Sequence, residues 1–149
     1  MKKDILNFLK TQRLLNLATV SKKPYICTVF YAEDASGDLY FISEPKSKHC
    51  KNISGNTSVA VAIFDSHQRV ADKKKGVQIE GNANEVTEEK EIKHALKLWN
   101  TKNPGFENVI NYQSMKTGKI KGKIYRISPS RTKFFNEELY GPEGYKIFL

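Results

Sequence analysis

Three short runs of β-branched, aromatic and aliphatic residues follow one another in the first third of the sequence, with only turns between them. The runs lie at 14–20, 25–32 and 39–43. The intervening Ser-Lys-Lys-Pro at 21–24 and Glu-Asp-Ala-Ser-Gly at 33–37 have the composition of tight turns. Strands joined by turns this short pair as antiparallel hairpins. This part of the chain therefore predicts an antiparallel sheet.

The remaining sequence adds further strands and three helices. Strands are predicted at 59–64, 77–86, 124–128 and 132–135, and helices at 4–11, 47–55 and 87–103. The uninterrupted apolar run at 59–64 favours a strand buried on both faces, and Gly81 suggests a bulge. A short helix is expected at 106–112, and no element is predicted for 141–149. Six or seven strands linked mostly by turns predict a mainly β (α+β) antiparallel barrel with helical additions.

Composition limits the class of protein. The 149 residues suffice for one sizeable core, so we expect a single domain over 1–149. No apolar run approaches the ~20 residues of a membrane span, and two cysteines are too few for a disulfide framework, which favours a reduced, cytoplasmic setting. The net charge is +9, but only four of the 25 basic residues are Arg, the residue suited to bidentate phosphate or base recognition. A solvated lysine surface is therefore favoured over a nucleic-acid groove, and no metal site is predicted.

The segment at 39–53, LYFISEPKSKHCKNI, is the most informative for function. A strand leads directly into the start of a helix, where Ser47 is placed to cap the first turn. The unpaired amides and partial positive charge of a helix start attract phosphate, and Lys46, Lys48 and Lys51 add positive charge. The alternative is a simple helix cap with solvated lysines, and spacing alone does not separate the two.

The order of segments resembles the pyridoxamine 5′-phosphate oxidase-like family of FMN-binding split barrels. The residues that carry the likeness lie at 43–49, 52–53, 59–64 and 76–81, within a similarity that spans about 14–135. The resemblance implies a six-stranded antiparallel split β-barrel of Greek-key type with flanking helices. It also implies a homodimer with FMN sites at the interface and a flavin-dependent oxidoreductase activity of unknown substrate. It looks closest to a subgroup of small bacterial members.

The resemblance also assigns residues to the cofactor. Ser47 and Lys48 match the triplet that holds the FMN phosphate, with His49 and Ser43 within reach. The isoalloxazine edge would lie against Thr28, Val29 and Phe30 of the second strand, Ile42 of the third, and Gln78. Ordinary barrel core is an equal interpretation of the apolar side chains, and a solvent-facing strand residue is an equal one for Gln78. Trp99 is expected to be core rather than a ring cover.

This sequence departs from the oxidase in two places. The residues at 143–149 lack the Arg-rich, Trp-containing end that grips the vitamin substrate, and 26–31 contains no basic residue. Vitamin salvage is therefore not expected, and Lys48 carries more of the phosphate contact. No side chain is an evident general acid or base, so the catalytic residues are unknown.

Two other classes of function remain open from sequence. The first is a non-enzymatic flavin or haem binder or sensor, in which His49 or His67 is the candidate haem ligand. The second is a basic barrel that binds nucleic acid, for which exposed Tyr25, Tyr31 and Tyr40 would supply stacking surfaces between lysines.

Overall fold

The computed structural model describes residues 3–149, which form one eight-stranded sheet and five helices. The strands are β1 (Leu14–Val20), β2 (Pro24–Phe30), β3 (Ala32–Glu33), β4 (Leu39–Ser43), β5 (Ser58–Phe64), β6 (Lys75–Glu85), β7 (Lys123–Asn136) and β8 (Tyr145–Phe148). The helices are α1 (Lys3–Thr11), α2 (Lys48–Gly55), α3 (Glu89–Lys102), α4 (Tyr112–Lys116) and α5 (Glu137–Tyr140).

All the strand pairs are antiparallel, in the order β2-β1-β5-β6-β7-β4-β3, and β8 pairs with β7. The sheet curls so that β2, at one end of this order, approaches β4 near the other. The predicted mainly β, antiparallel split-barrel class is confirmed. Six main strands form the curled sheet, and the short β3 and β8 extend it.

The barrel core lies on the inner face of the curled sheet. Alternate residues of each strand point inward, so that Leu15 and Leu17 of β1 meet Val61 and Ile63 of β5, and Phe134 of β7 closes the core. α1 covers one end of this core. A second cluster lies on the other side of β4, under α3 and α4, where the core side chains are Tyr40, Val86, Ala95, Leu96, Met115 and Ile124.

The prediction that β5 is buried on both faces is wrong. Val59, Val61 and Ile63 are buried, but Ala60 and Phe64 of the same strand are exposed. The strand that packs on both faces is β4, which contributes to both hydrophobic clusters. A run of apolar residues cannot by itself distinguish burial from an exposed apolar face.

The prediction of two strands at 124–128 and 132–135 is also corrected, because β7 is continuous through this region. The register between β6 and β7 shifts between Glu80 and Gly81, and Gly81 lies opposite Pro129. The bulge absorbs the proline, whose missing N–H would otherwise break the ladder. The predicted bulge at Gly81 is therefore confirmed.

Two local predictions differ from the structure in detail. The helix expected at 106–112 begins later, at Tyr112, because the side chain of Asn111 accepts a hydrogen bond from the Ser114 amide at 2.9 Å and caps α4 there. The segment left without an element contains β8. Trp99 is packed inside, as expected. Within residues 3–149 no helix has the length and apolar character needed to cross a membrane.

Candidate functional site

The segment between β4 and α2 builds the start of a helix with free amides. Ser43 ends β4, a turn follows, and Ser47 is the extended residue that precedes the helix. The Ser47 hydroxyl donates to the carbonyl of Glu44 at 2.7 Å instead of accepting from the first turn. The position predicted for the cap is right, but the hydroxyl does not cap. The amides of residues 48–50 therefore keep neither an intrahelical nor a side-chain cap acceptor.

The imidazole of His49 joins the two serines. Its Nε2 lies 2.8 Å from the Ser43 hydroxyl oxygen and 3.4 Å from that of Ser47. The ring is half-buried and lies beside Phe41, with 6.2 Å between ring centroids. Burial lowers the pKa of His49, because the charged imidazolium is poorly solvated there. The result is a compact group of hydroxyl and imidazole donors around the first turn of α2.

The position of α2 is fixed against the first hairpin. The buried Asn52 side chain donates to the Thr19 hydroxyl at 3.1 Å, and the Lys48 ammonium lies 4.8 Å from the ring centroid of Tyr25. Thr19 and Tyr25 pair across β1 and β2. These contacts place the donor group beside the start of β2. The structure thus brings together Ser43, Ser47 and His49, three of the four residues predicted to surround the phosphate, and places the ammonium of the fourth, Lys48, over Tyr25.

The side chains predicted for the flavin ring are divided between different faces. Thr28 and Phe30 are exposed on the outer face of the sheet, whereas Val29 alternates inward and packs on the barrel core. Gln78 is also exposed on the outer face. Ile42 points to the second cluster, away from Ser43. The Val29 and Ile42 side chains therefore match the core interpretation, whereas those of Thr28, Phe30 and Gln78 are open to solvent.

One row of the outer face crosses four strands. Thr28 pairs with Asn16, Asn16 with Ala62, and Ala62 with Gln78. The Thr28 hydroxyl donates to the Asn16 side chain at 2.9 Å. Around this polar row the surface is apolar, and its exposed members are Leu14, Ile26, Phe30, Ala60 and Phe64. We call this surface the outer apolar face; the sequence signalled it only through the unbroken run in β5.

An open cleft lies elsewhere on the molecule. It has a volume of about 960 Å³, is open to solvent, and is lined by α1 and by the loop between β5 and β6. None of the residues predicted for FMN lines it, although His67, a candidate haem ligand, does. Its lining carries charges of both signs, and Lys75 is paired with Glu138. The donor group at α2 is therefore the better candidate site, because its chemistry converges on one point.

The structure also places the residues considered for binding nucleic acid or haem. Tyr31 is fully buried and Tyr40 is 3% exposed, so the stacking surface predicted for nucleic acid is wrong at both positions. The Tyr31 hydroxyl instead donates to the carbonyl of Leu9 at 2.6 Å. The side chain of His67 is 95% exposed, near Asp65. Across residues 3–149 no group of three or more His, Cys, Asp or Glu side chains could hold a metal ion.

Comparison with known families identifies the fold family. A family model described as pyridoxamine 5′-phosphate oxidase matches residues 1–131, most of the chain. The chain belongs to this family. The resemblance carried by the segment around Ser47 is thereby confirmed at the level of the family. A comparison with curated proteins finds no significant match.

Solved structures with the same fold are distant in sequence. A conserved hypothetical protein from Mycobacterium tuberculosis has a TM-score of 0.74 at 21% identity, covering 93% of this chain and 86% of that one. A NimC/NimA family protein from Clostridium acetobutylicum has a TM-score of 0.68 at 17% identity, with coverages of 98% and 90%. A heme binding protein from Mycobacterium smegmatis has a TM-score of 0.72 at 15% identity, covering 99% of this chain but 59% of the other. At these identities the likeness establishes the fold alone.

Proposed function

We propose that this chain binds FMN at the start of α2 as a homodimer, and acts as a flavin-dependent oxidoreductase. The observation that carries the proposal is the group formed by Ser43, Ser47 and His49 around the uncapped amides of α2. Membership of the pyridoxamine 5′-phosphate oxidase family supports the same cofactor.

The donor set fits a phosphate monoester. Three backbone amides converge at the positive end of the helix beside the Ser43 hydroxyl, and such a helix start binds phosphate. Lys48 adds a charge-assisted contact from beside Tyr25. A neutral His49 still donates one N–H or accepts one hydrogen bond, and so orients the Ser43 hydroxyl. These residues bind and orient the phosphate; they are not assigned a step in the reaction.

The ring of the cofactor would lie along β2. Backbone N–H and C=O groups of an edge strand are free to bind the polar edge of a ring system, and β2 ends the sheet order. Thr28 and Phe30 lie on the exposed side of this strand, and Gln78 lies three strands away, in the same row as Thr28. FMN would supply two-electron redox chemistry, and the protein would position it and limit access of water.

A second copy of the chain would complete the site. The outer apolar face leaves Ile26 and Phe30 exposed next to the proposed ring position. Contiguous apolar surface of this kind marks an interaction surface, and the small Ala60 and Ala62 side chains allow two sheets to approach closely. We infer that two outer apolar faces pack together, so that each covers the ring bound to the other.

The test is the spectrum of the purified protein together with two titrations. We expect flavin absorption bands, FMN release on denaturation, and FMN binding at least tenfold tighter than riboflavin, because riboflavin lacks the phosphate. A Soret band with no flavin would favour a haem binder instead. Equal affinity for FMN and riboflavin would place recognition at the ring and contradict the role given to α2.

A further inference from the structure

The open cleft beside α1, which we call the α1 cleft, takes no part in the proposed FMN site. Its volume of about 960 Å³ suits a small organic molecule, since ligand pockets measure about 300–1,000 Å³. It is lined by α1, the start of β1, the loop between β5 and β6, and the turn from β7 into α5. Leu14 of β1 lines the cleft, whereas α2 bonds to Thr19 near the other end of that strand. The two sites are therefore separate.

The walls of the α1 cleft carry apolar side chains that the fold leaves exposed. Leu14, Phe64 and Leu139 are exposed members of β1, β5 and α5. Phe8 of α1 also lines the cleft, and its ring centroid lies 5.8 Å from that of Phe134 in the barrel core. Large apolar side chains from four elements thus meet at one concave site. Such a lining is typical of pockets that take the apolar body of a small molecule.

Three of the four carboxylates that line the α1 cleft already have partners within the chain. The pairs are Asp65 with the His67 amide, Asp72 with the Arg69 guanidinium, and Glu138 with the Lys75 ammonium. The fourth carboxylate, Asp4, lies in the first turn of α1, where the partial positive charge of the helix start stabilises it. The acidic side chains of the cleft therefore do not require a cationic ligand.

Two cations of the α1 cleft are in the opposite situation. Within residues 3–149 neither Arg13 nor Lys73 makes an ion pair or a side-chain hydrogen bond, and both side chains are exposed. Arg13 follows α1 directly, and its backbone carbonyl is held by the Tyr31 amide at 3.2 Å. Its guanidinium presents a planar fork of N–H donors that matches a carboxylate. An anionic group is the ligand chemistry that this arrangement can recognise.

We propose that the α1 cleft binds a small organic acid, with its carboxylate on Arg13 and its apolar body against Leu14, Phe64 and Leu139. A neutral ligand would leave the guanidinium unpaired, and a small inorganic anion would leave the apolar walls uncovered. Lys73 adds positive charge at the loop side of the cleft. The proposal does not depend on FMN, because none of the residues predicted for that cofactor lines the cleft.

The first experiment compares two probes that share an aromatic body and differ in charge, 2-naphthoate and 2-naphthamide. Calorimetric titration of the full chain measures the affinity for each. We expect 2-naphthoate to bind with a Kd below about 1 mM, and 2-naphthamide to bind about tenfold more weakly, because only the carboxylate matches Arg13. No binding of 2-naphthoate in this range, or equal affinity for the two probes, would overturn the proposal.

Two variants separate the charge from the apolar wall. Arg13→Gln should weaken 2-naphthoate binding about tenfold and leave 2-naphthamide binding unchanged. Arg131→Gln is the matched control, because Arg131 lies outside the cleft and its exposed pair with Glu80 contributes little to stability. Leu139→Ala should weaken both probes about three- to tenfold, and it leaves the outer apolar face intact. Equal affinity for 2-naphthoate in Arg13→Gln and Arg131→Gln would contradict the assignment of the carboxylate.

Nuclear magnetic resonance locates the bound probe. Amide shifts caused by 2-naphthoate should be confined to the lining segments at 4–14, 64–75 and 136–139. Shifts centred on β2 or α2 would place the probe at the proposed FMN site and overturn the inference. Chains with and without FMN should bind 2-naphthoate alike, and competition between the two would also overturn it. A chain that fails to bind FMN can still bind 2-naphthoate, so the two proposals fail separately.

Discussion

At the scale of single residues, His49 links the donor group to the stability of the fold. Its ring is half-buried between Phe41 and Ser43, and burial lowers its pKa. An unfolded histidine titrates near ~6.5, so the unfolded chain takes up the proton first as the pH falls. Because protons then favour the unfolded state, the stability that neutral His49 contributes above about pH 6.5 is lost as the pH falls.

The prediction for His49 is a difference in pH dependence. Between pH 7.5 and 5.5 the Tm of the parent should fall further than the Tm of His49→Gln. Glutamine cannot be protonated and keeps a polar side chain beside Ser43. Thermal unfolding of both proteins at the two pH values, in the absence of FMN, measures this. Equal losses in the two proteins would show that the imidazole is not held in its neutral form.

Lys48 gives the direct test of the phosphate contact. A charge-assisted contact contributes about 1.5–3 kcal/mol, so Lys48→Ala should weaken FMN binding by roughly 10- to 150-fold. Lys48→Glu should weaken it further, and riboflavin binding should hardly change. Exposed Lys97 on α3 supplies a matched control, because Lys97→Ala removes the same charge far from α2. Fluorescence titrations with FMN measure the affinity of each variant. Equal affinities in Lys48→Ala and Lys97→Ala would place the phosphate elsewhere.

At the scale of elements, the bulge at Gly81 allows β6 and β7 to pair along their full length. A Cβ at Gly81 would lie 2.4 Å from the Ser128 carbonyl oxygen, a backbone atom that cannot move aside. Gly81→Ala should therefore destabilise the fold by about 2–3 kcal/mol or more. Gly55→Ala is the control, because nothing lies within 4 Å of that position and alanine favours the helix. Urea unfolding of both variants is the measurement, and similar midpoints would refute the role of the bulge.

The end of α3 is held by a buried ion pair. The Lys102 ammonium bonds to the Glu33 carboxylate at 2.5 Å and to the Leu9 carbonyl at 2.9 Å, and it lies 3.8 Å from the Tyr31 ring centroid. It thereby joins α3 to β3 and α1. Burial lowers the pKa of Lys102, which shows the cost of removing the charge from water.

Breaking the buried Lys102–Glu33 pair should lower the stability of the fold far more than breaking an exposed ion pair. Lys102→Met leaves the Glu33 carboxylate buried without its partner, and we expect the free energy of unfolding to fall by about 3 kcal/mol. Lys93→Met, which breaks the exposed pair with Glu89 in the same helix, should cost less than about 0.5 kcal/mol. Chemical unfolding of the two variants compares them directly. A loss in Lys102→Met as small as that in Lys93→Met would contradict the role of this pair.

The elements show which features a sequence can predict. Turn residues and apolar alternation are local, and they were sufficient for β1, β2, β4 and the start of α2. The continuity of β7 was missed because Pro129 reads as a break, and only its pairing opposite Gly81 shows that the ladder continues. The single-sided burial of β5 was missed because six apolar residues in a row look alike whether they face a core or an exposed surface. The Ser43–His49 contact depends on the tertiary path between β4 and α2, so residue types predicted the members but not the geometry.

At the scale of the whole molecule, the outer apolar face is an apolar surface that the chain does not bury by itself. Ile26 is 66% exposed and Phe30 is 54% exposed on β2, and Phe64 is 48% exposed on β5. Specific interfaces bury about 800 Å² on each partner, so a dimer formed through this face must cover all the outward sides of β2, β1 and β5. The small Ala60 and Ala62 side chains at the centre would let a second sheet approach closely, while polar Asn16 and Thr28 would set the register.

A charge placed on this face should therefore separate the dimer without harming the monomer. Ile26→Glu puts a carboxylate where the interface excludes water, and two copies of it would lie close together, so we expect a dimer for the parent and a monomer for the variant by light scattering. Val70→Glu is the matched control, since Val70 is 96% exposed on the loop between β5 and β6 and lies outside this face. Because Ile26 is already exposed within one chain, the circular dichroism spectrum of Ile26→Glu should match that of the parent.

The monomeric Ile26→Glu variant should also bind FMN more weakly than the parent, since the partner covers the ring in the proposed dimer. A parent that is monomeric, or an Ile26→Glu variant that remains a dimer, would remove the outer apolar face from the proposed assembly, and a monomer that holds FMN as tightly as the parent would show that a single chain encloses the cofactor.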